Sequence, residues 1–260
     1  MKRIYTFAAA LLFLGACSPD GYTIHGNVEG LDSPYVYLIT FDGTHNVVDS
    51  AKVEAGVFTF TGKTELPEVA YLSKDKEQPF VRFFLENAKL SIDGNLYNPN
   101  EVYPTGTAAN EAMNAFNELT YDTGEAYGVT ESEADKELLV NRYKQQMRET
   151  IDRNRNNICG MIVLAETGSM FFTPQEVLEE IDRFPAEWQQ RTELTELRKV
   201  MEQRLRTAAL YRHRGAECRR SAGRPQVRYR ESRQQIRPDR LLGLVVRSLH
   251  DGNSLSESRL

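Results

Sequence analysis

The chain has 260 residues, 40% hydrophobic and 27% charged, with a formal net charge of −5. Those proportions fit a soluble globular protein of one or two domains and exclude a fibrous repeat, a disulfide-dense miniprotein and a polytopic membrane protein. The total hides two unlike parts. Residues 1–206 carry 20 Lys+Arg against 32 Asp+Glu, net −12, whereas residues 207–260 carry 12 Arg, no Lys and 5 acids, net +7. All 12 Phe and the single Trp precede the break.

Lys2 and Arg3 precede an apolar run from Ile4 to Ala16. As a helix these thirteen residues rise about 20 Å, short of the roughly 30 Å bilayer core, so the segment reads as the apolar region of a signal peptide. It ends in Leu14-Gly15-Ala16-Cys17, with small residues where a signal peptidase cuts. The tetrapeptide resembles the lipobox of bacterial lipoproteins, which implies that Cys17 is the lipid attachment site and the mature N-terminus. The protein would then be anchored to a membrane without spanning it. The rival reading is an ordinary secretory signal with an incidental cysteine. Once Cys17 is a thioether, Cys159 and Cys218 remain, 59 residues apart and outside any C-x-x-C pair. Nothing here builds a disulfide framework, and Cys159 reads as a small buried hydrophobe.

Residues 21–104 alternate in short runs separated by turn chemistry. Ile24, Gly26 and Val28 face away from Thr23, His25 and Asn27. Tyr35 to Phe41 is apolar on both faces, as a central strand should be. Val53 to Phe60 reads as a hairpin turning at Gly56, and Val69–Ser73, Phe80–Glu86 and Ala88–Asp93 complete about seven strands. Regular spacing without helices predicts an antiparallel sandwich or barrel. The residues Ile24-x-Gly26-x-Val28-x-Gly30-Leu31, Val36-Tyr37-Leu38, Gly56-x-Phe58-x-Phe60-x-Gly62, Pro67 and Phe84-Leu85-Glu86-Asn87 with Leu90-x-Ile92 carry a resemblance. The stretch resembles a β-rich domain of unknown function that opens bacterial envelope lipoproteins with a C-terminal thioredoxin-like module. Turn glycines and core aromatics of this kind specify a fold better than an activity.

Residues 105–207 switch to helical spacing. Thr105-Gly106-Thr107 opens a helix through Met113 and Phe116. Ser132-x-x-Asp135 caps the next, with Leu139, Tyr143, Met147 and Ile151 on one face. Thr173-Pro174-Gln175-Glu176 is a capping box ahead of Val177, Ile181 and Phe184. A last helix follows Pro185, striped by Leu194, Leu197, Met201 and Leu205. The acidic clusters read as solvated helix faces rather than paired catalytic carboxylates. In the lipoproteins that the chain resembles, such a segment links the β domain to the thioredoxin-like module.

The chemistry of common active sites is missing from the sequence. His25, His45, His213 and His250 are isolated, with no metal-ligand spacing to one another or to a cysteine. There is no G-x-S-x-G, no P-loop and no dinucleotide fingerprint. No catalytic, cofactor-binding or metal-binding residue is assigned. The Arg of the tail lack helical period, and Tyr211 and Tyr229 alone could stack on bases, so a nucleic-acid partner is not expected.

The tail does have one ordered feature. Leu244-Val245-Val246-Arg247-Ser248-Leu249-His250 is compatible with CTC GTG GTG CGG TCC CTG CAT, which spells S-W-C-G-P-C when read one base later. Pro238 to Gly243 extends this back as L-I-D-F-W-A, and Asp251 to Leu255 extends it forward as M-T-E-I-P. Upstream, Arg212 to Ser221 is compatible with D-I-E-A-P-N-A-E-G in the same frame. The long run resembles the active-site strand and helix of thioredoxin-like thiol-disulfide oxidoreductases, with the slip near Ala208 to Leu210. The resemblance implies a thiolate at a helix N-terminus that attacks a substrate disulfide, then a second cysteine that resolves the mixed disulfide. The chain as written carries neither cysteine, so dithiol activity is not expected of it.

The expected fold is therefore α+β: an N-terminal antiparallel β-sandwich or barrel, then a helical segment, then a largely disordered tail. Its boundaries are signal peptide 1–16, lipidated tether 17–20, β-rich domain 21–104, helical linker segment 105–207 and Arg-rich tail 208–260. The expected partners are a membrane, through the lipid on Cys17, and an envelope protein, placing the chain in the cell envelope outside the cytoplasm. No cofactor and no metal are expected. The alternative function is a non-catalytic binding or scaffold lipoprotein whose β domain engages an envelope partner.

Overall fold

The computed structural model describes residues 20–41, 45–76 and 78–221. Among them β1 (Tyr22–Glu29), β2 (Tyr35–Phe41), β3 (His45–Lys52), β4 (Val57–Gly62), β5 (Glu68–Ser73), β6 (Pro79–Leu85), β7 (Lys89–Asn95) and β8 (Asn98–Thr105) form two four-stranded sheets. The orders are β4-β1-β7-β8 and β3-β2-β5-β6. Strict alternation along β1 turns Ile24 and Val28 into the space between the sheets and leaves His25 outside. Phe58, Phe60, Leu72, Phe83, Leu90 and Ile92 meet them there. Gly56, at φ +81, and Ala55, at φ +51, make the left-handed turn into β4 that the sequence placed at Gly56.

The sandwich is antiparallel at every pairing except one: β1 runs parallel to β7. A parallel pair needs a long crossover, and here the crossover includes the whole second sheet. Two strands were not legible in the sequence. β3 (HNVVDSAK) has adjacent valines, Val47 and Val48, both exposed, and shows no alternation. β8 carries Pro99 and Pro104, which an edge strand tolerates because its outer N–H groups are not needed by the ladder.

The helices are α1 (Ala108–Val129), α2 (Glu133–Arg153), α3 (Ile158–Ile162), a π-helical turn (Val163–Gly168), α4 (Ser169–Phe171), α5 (Pro174–Asp182), α6 (Ala186–Gln189) and α7 (Thr192–Ser221). Thr107, Ser132 and Thr173 cap α1, α2 and α5 with their hydroxyls, the last two as read from sequence. On α2, Tyr143, Met147 and Ile151 are buried, joined by Val140 rather than Leu139. The helices fold back onto the β unit: Phe84 of β6 lies in the helical core, and Val69 of β5 packs against it. α7 carries its backbone past the composition break at residue 207 to Ser221, through Ala208, Ala209, Leu210 and several Arg, all good helix formers. The remaining tail, 222–260, lies outside the described residues, as do residues 1–19.

The capping box on α5 gives a pH prediction. Burial works to raise the Glu176 carboxyl, but the Thr173 backbone and hydroxyl and the Arg148 guanidinium prevail and hold it below the ordinary carboxylate value. A depressed carboxylate stabilises the fold above its unfolded pKa, and that contribution is lost as pH falls through the folded value. Stability should therefore fall below about pH 4. A Glu176→Gln variant should show a shallower acid limb in denaturant unfolding measured across pH. An unchanged acid limb would show that Glu176 contributes nothing to it.

Candidate functional site

The polar groups that the fold enlists in specific contacts fall into two sets. The first set lies where β6 meets the helices. β6 is an outer strand of its sheet, and its outer backbone edge is closed by a side chain. Asn110, 2% exposed, accepts from Phe84 N at 2.8 Å and donates to Phe84 O at 2.9 Å, so its amide imitates a neighbouring strand. Its amide nitrogen also donates to the Thr107 hydroxyl that caps α1. One residue thereby fixes the helix start to the sheet.

Two residues earlier on β6, Arg82 grips Glu166 in the π-helical turn with two parallel bonds of 2.8 and 2.6 Å. Burial pulls the Arg82 pKa down, but the charge and hydrogen bonds of Glu166, with a smaller contribution from Tyr71, hold it above the ordinary value. The widened π turn gives Glu166 its position opposite β6, the use to which such bulges are often put.

Cys159 lies beside this seam and is 0% exposed. Its backbone N–H is taken by Asn157, the N-cap of α3. Gly160 follows because a Cβ there would sit 2.4 Å from the Asn154 carbonyl oxygen, so α3 can approach the end of α2 only through glycine. Burial, aided by the charge of Glu86, pushes the Cys159 thiol up to about 12. It is a structural thiol and not a nucleophile at neutral pH, in keeping with its sequence setting.

The second set joins α2 to α5. Glu180, 7% exposed, receives Arg155, Arg183 at 3.1 Å and Arg148 at 3.8 Å. Asp152 bridges Arg155 at 2.5 Å and Arg183 at 2.9 Å. Arg148 also holds Glu176, and the guanidinium groups of Arg148 and Arg155 lie over the rings of Phe172 and Phe184. The acidic cluster is therefore not uniformly a solvated face. Glu179 is exposed, as expected, but Glu180 points into the arginines. Sequence spacing could not show this, because Arg148 comes from α2 and Arg155 from the turn that follows it.

At the end of the sandwich where β1 begins, Lys63, Thr64, Glu65, Leu66, Pro67 and Glu68 line a shallow groove with Arg191. Arg191 donates to the Pro67 carbonyl at 2.9 Å. His25 is exposed on β1, its ring 3.4 Å from the Thr59 hydroxyl. Among the described residues no group of three His, Cys, Asp or Glu could hold a metal ion. No helix among them is long and apolar enough to cross a membrane. Cys17, the predicted lipid site, and His250 lie outside the described residues. The Cys218 and His213 side chains and that of His45 also fall outside the description.

These sets of contacts dock helices on a sheet and tie helices together; they bring no nucleophile, base and acceptor to one point. No curated protein and no solved structure matches the chain. Residues 22–113, which hold the eight strands of the described residues and the opening of α1 with Asn110, match the model of the family described as Domain of unknown function (DUF4369).

Proposed function

We propose that this chain is a lipid-anchored protein of the cell envelope and a relative of thioredoxin-like thiol-disulfide oxidoreductases that lacks their dithiol centre. One observation carries the reading. The run from Pro238 to Leu255, whose codons are compatible with W-C-G-P-C one base out of frame, follows a lipobox-like cysteine, the stretch that matches DUF4369 and a helical unit in that order. Chance compatibility over so many consecutive codons is rare, and the base composition of such a frame accounts for the Arg-rich, Lys-free tail. The +7 of residues 207–260 is then a by-product of translation and not a binding surface.

The docked architecture supports the same assignment. A β unit with helices sealed onto it by Asn110 and Arg82 is a rigid platform, and α7 leads out of that platform toward the tail. In an intact relative such a platform would hold a redox module at a fixed distance from the anchor. The anchor itself is tested by Cys17→Ser. The wild-type protein is expected in the membrane fraction and the variant in the soluble extracytoplasmic fraction. Retention of the variant on the membrane would overturn the assignment of Cys17.

A further inference from the structure

We propose that the loop Lys63–Pro67 is a membrane-contact rim, with Leu66 at the boundary between headgroups and acyl chains and Lys63 among the lipid phosphates. The inference rests on the anchor reading and adds an orientation to it. Cys17 lies four residue steps before Gly21, a reach of at most about 14 Å even when fully extended. Gly21 is seated against the end of β4: a Cβ on it would lie 2.2 Å from the Gly62 carbonyl oxygen and 3.8 Å from Lys63 Cβ. The loop that follows Gly62 is therefore within a short tether of the lipid.

That loop is held rigid. Thr64 N donates to the Asn87 side chain at 3.0 Å, and the Asn87 amide returns a 2.7 Å bond to the Thr64 carbonyl. The Thr64 hydroxyl donates to the Leu66 carbonyl, and Arg191 secures Pro67 from the helical side. The result is a fixed leucine, 60% exposed, beside an exposed lysine. An exposed leucine alone needs no explanation. Its position does, because a tether turns a weak apolar contact into an intramolecular one with a high effective concentration. Leucine supplies the insertion, and lysine can lay its stem on the apolar layer while its ammonium reaches phosphate.

The opposite end of β1 supplies the contrast. Glu29 lies about 23 Å along the strand from Tyr22. There Glu29 O accepts from Leu96 N, and Gly30 packs on the ring of Tyr97, which is 82% exposed. Tyr97 should face away from the bilayer.

The test uses the full, lipidated chain with Cys218→Ser and either Leu66→Cys or Tyr97→Cys, labelled with an environment-sensitive dye; Cys159 is buried and escapes label. The proteins are reconstituted on vesicles of phosphatidylethanolamine and phosphatidylglycerol. A blue-shifted emission quenched by lipid-borne nitroxide is expected at position 66 and an aqueous spectrum at position 97. Flotation with the vesicles but an aqueous probe at 66, or equal quenching at both positions, overturns the rim while leaving the anchor intact. Failure to float overturns the anchor reading and the rim with it.

Discussion

Deleting one base from the codons of Ala208 to Leu210 is expected to turn a chain without dithiol chemistry into one that reduces insulin disulfides. The deletion moves translation one base later, which is the frame in which Val245 to Leu249 reads W-C-G-P-C. The first cysteine of that motif would lie at a helix N-terminus, where thiol pKa values fall to about 7 and roughly half the groups are thiolate at neutral pH. Cys159, pushed up to about 12 by burial, is almost wholly protonated at neutral pH. Lower basicity costs the new thiol some nucleophilicity, but its far larger thiolate fraction should still make it the faster of the two. Burial of Cys159 widens that gap. Insulin turbidity with dithiothreitol as reductant measures it. Cys159→Ala in the restored chain should leave the activity unchanged. A restored chain that folds, by circular dichroism, yet stays inert would contradict the assignment of the tail.

Glu180→Ala should be the most damaging substitution of a charged residue on the helical side, costing about 3 kcal/mol. Glu180 is almost wholly buried and is the shared acceptor for Arg155, Arg183 and Arg148. Its removal leaves the largely enclosed Arg155 guanidinium with Asp152 as its only carboxylate, beside the backbone carbonyl of residue 180, and strips the α2–α5 joint of its central carboxylate. Breaking one side of a buried pair exposes the desolvation cost of the other, whereas replacing both sides with apolar groups does not. The pair Arg155→Leu with Glu180→Leu should therefore recover most of the loss. For a unit of this size the single variant should melt about 6–12 °C lower. A loss under about 1 kcal/mol, the value of an exposed pair, would show that the network is solvated after all.

The sequence announced the local features and missed the distant ones. Alternation in Ile24, Gly26 and Val28, the left-handed turn at Gly56 and the capping box at Thr173 are written in neighbouring residues, and the structure carries all three. β3 was silent because its two valines are adjacent and exposed, and β8 because its prolines suggest a loop. The parallel pairing of β1 with β7 could not be read from strand spacing, since the crossover is an entire sheet. Asn110 looked like any polar residue of an amphipathic helix. Its role appears once Phe84, 26 positions earlier, presents an open strand edge. Glu180 belongs to an acidic cluster read as a solvated helix face, and its burial appears only because Arg148 and Arg155 reach it from α2 and the turn that follows. Glu166 stays exposed, yet it is gripped by Arg82 from β6. Long-range partners decide which charges are buried, and one sequence does not show them.

The nucleotide sequence beneath Leu244 to Leu249 is the most direct test of the proposed origin of the tail. Bases that read S-W-C-G-P-C one position downstream are the predicted result. Synonymous codons that break that reading, such as any combination at Val246 and Arg247 other than GTG followed by a C-initial Arg codon, would remove the first cysteine of the motif and contradict the account.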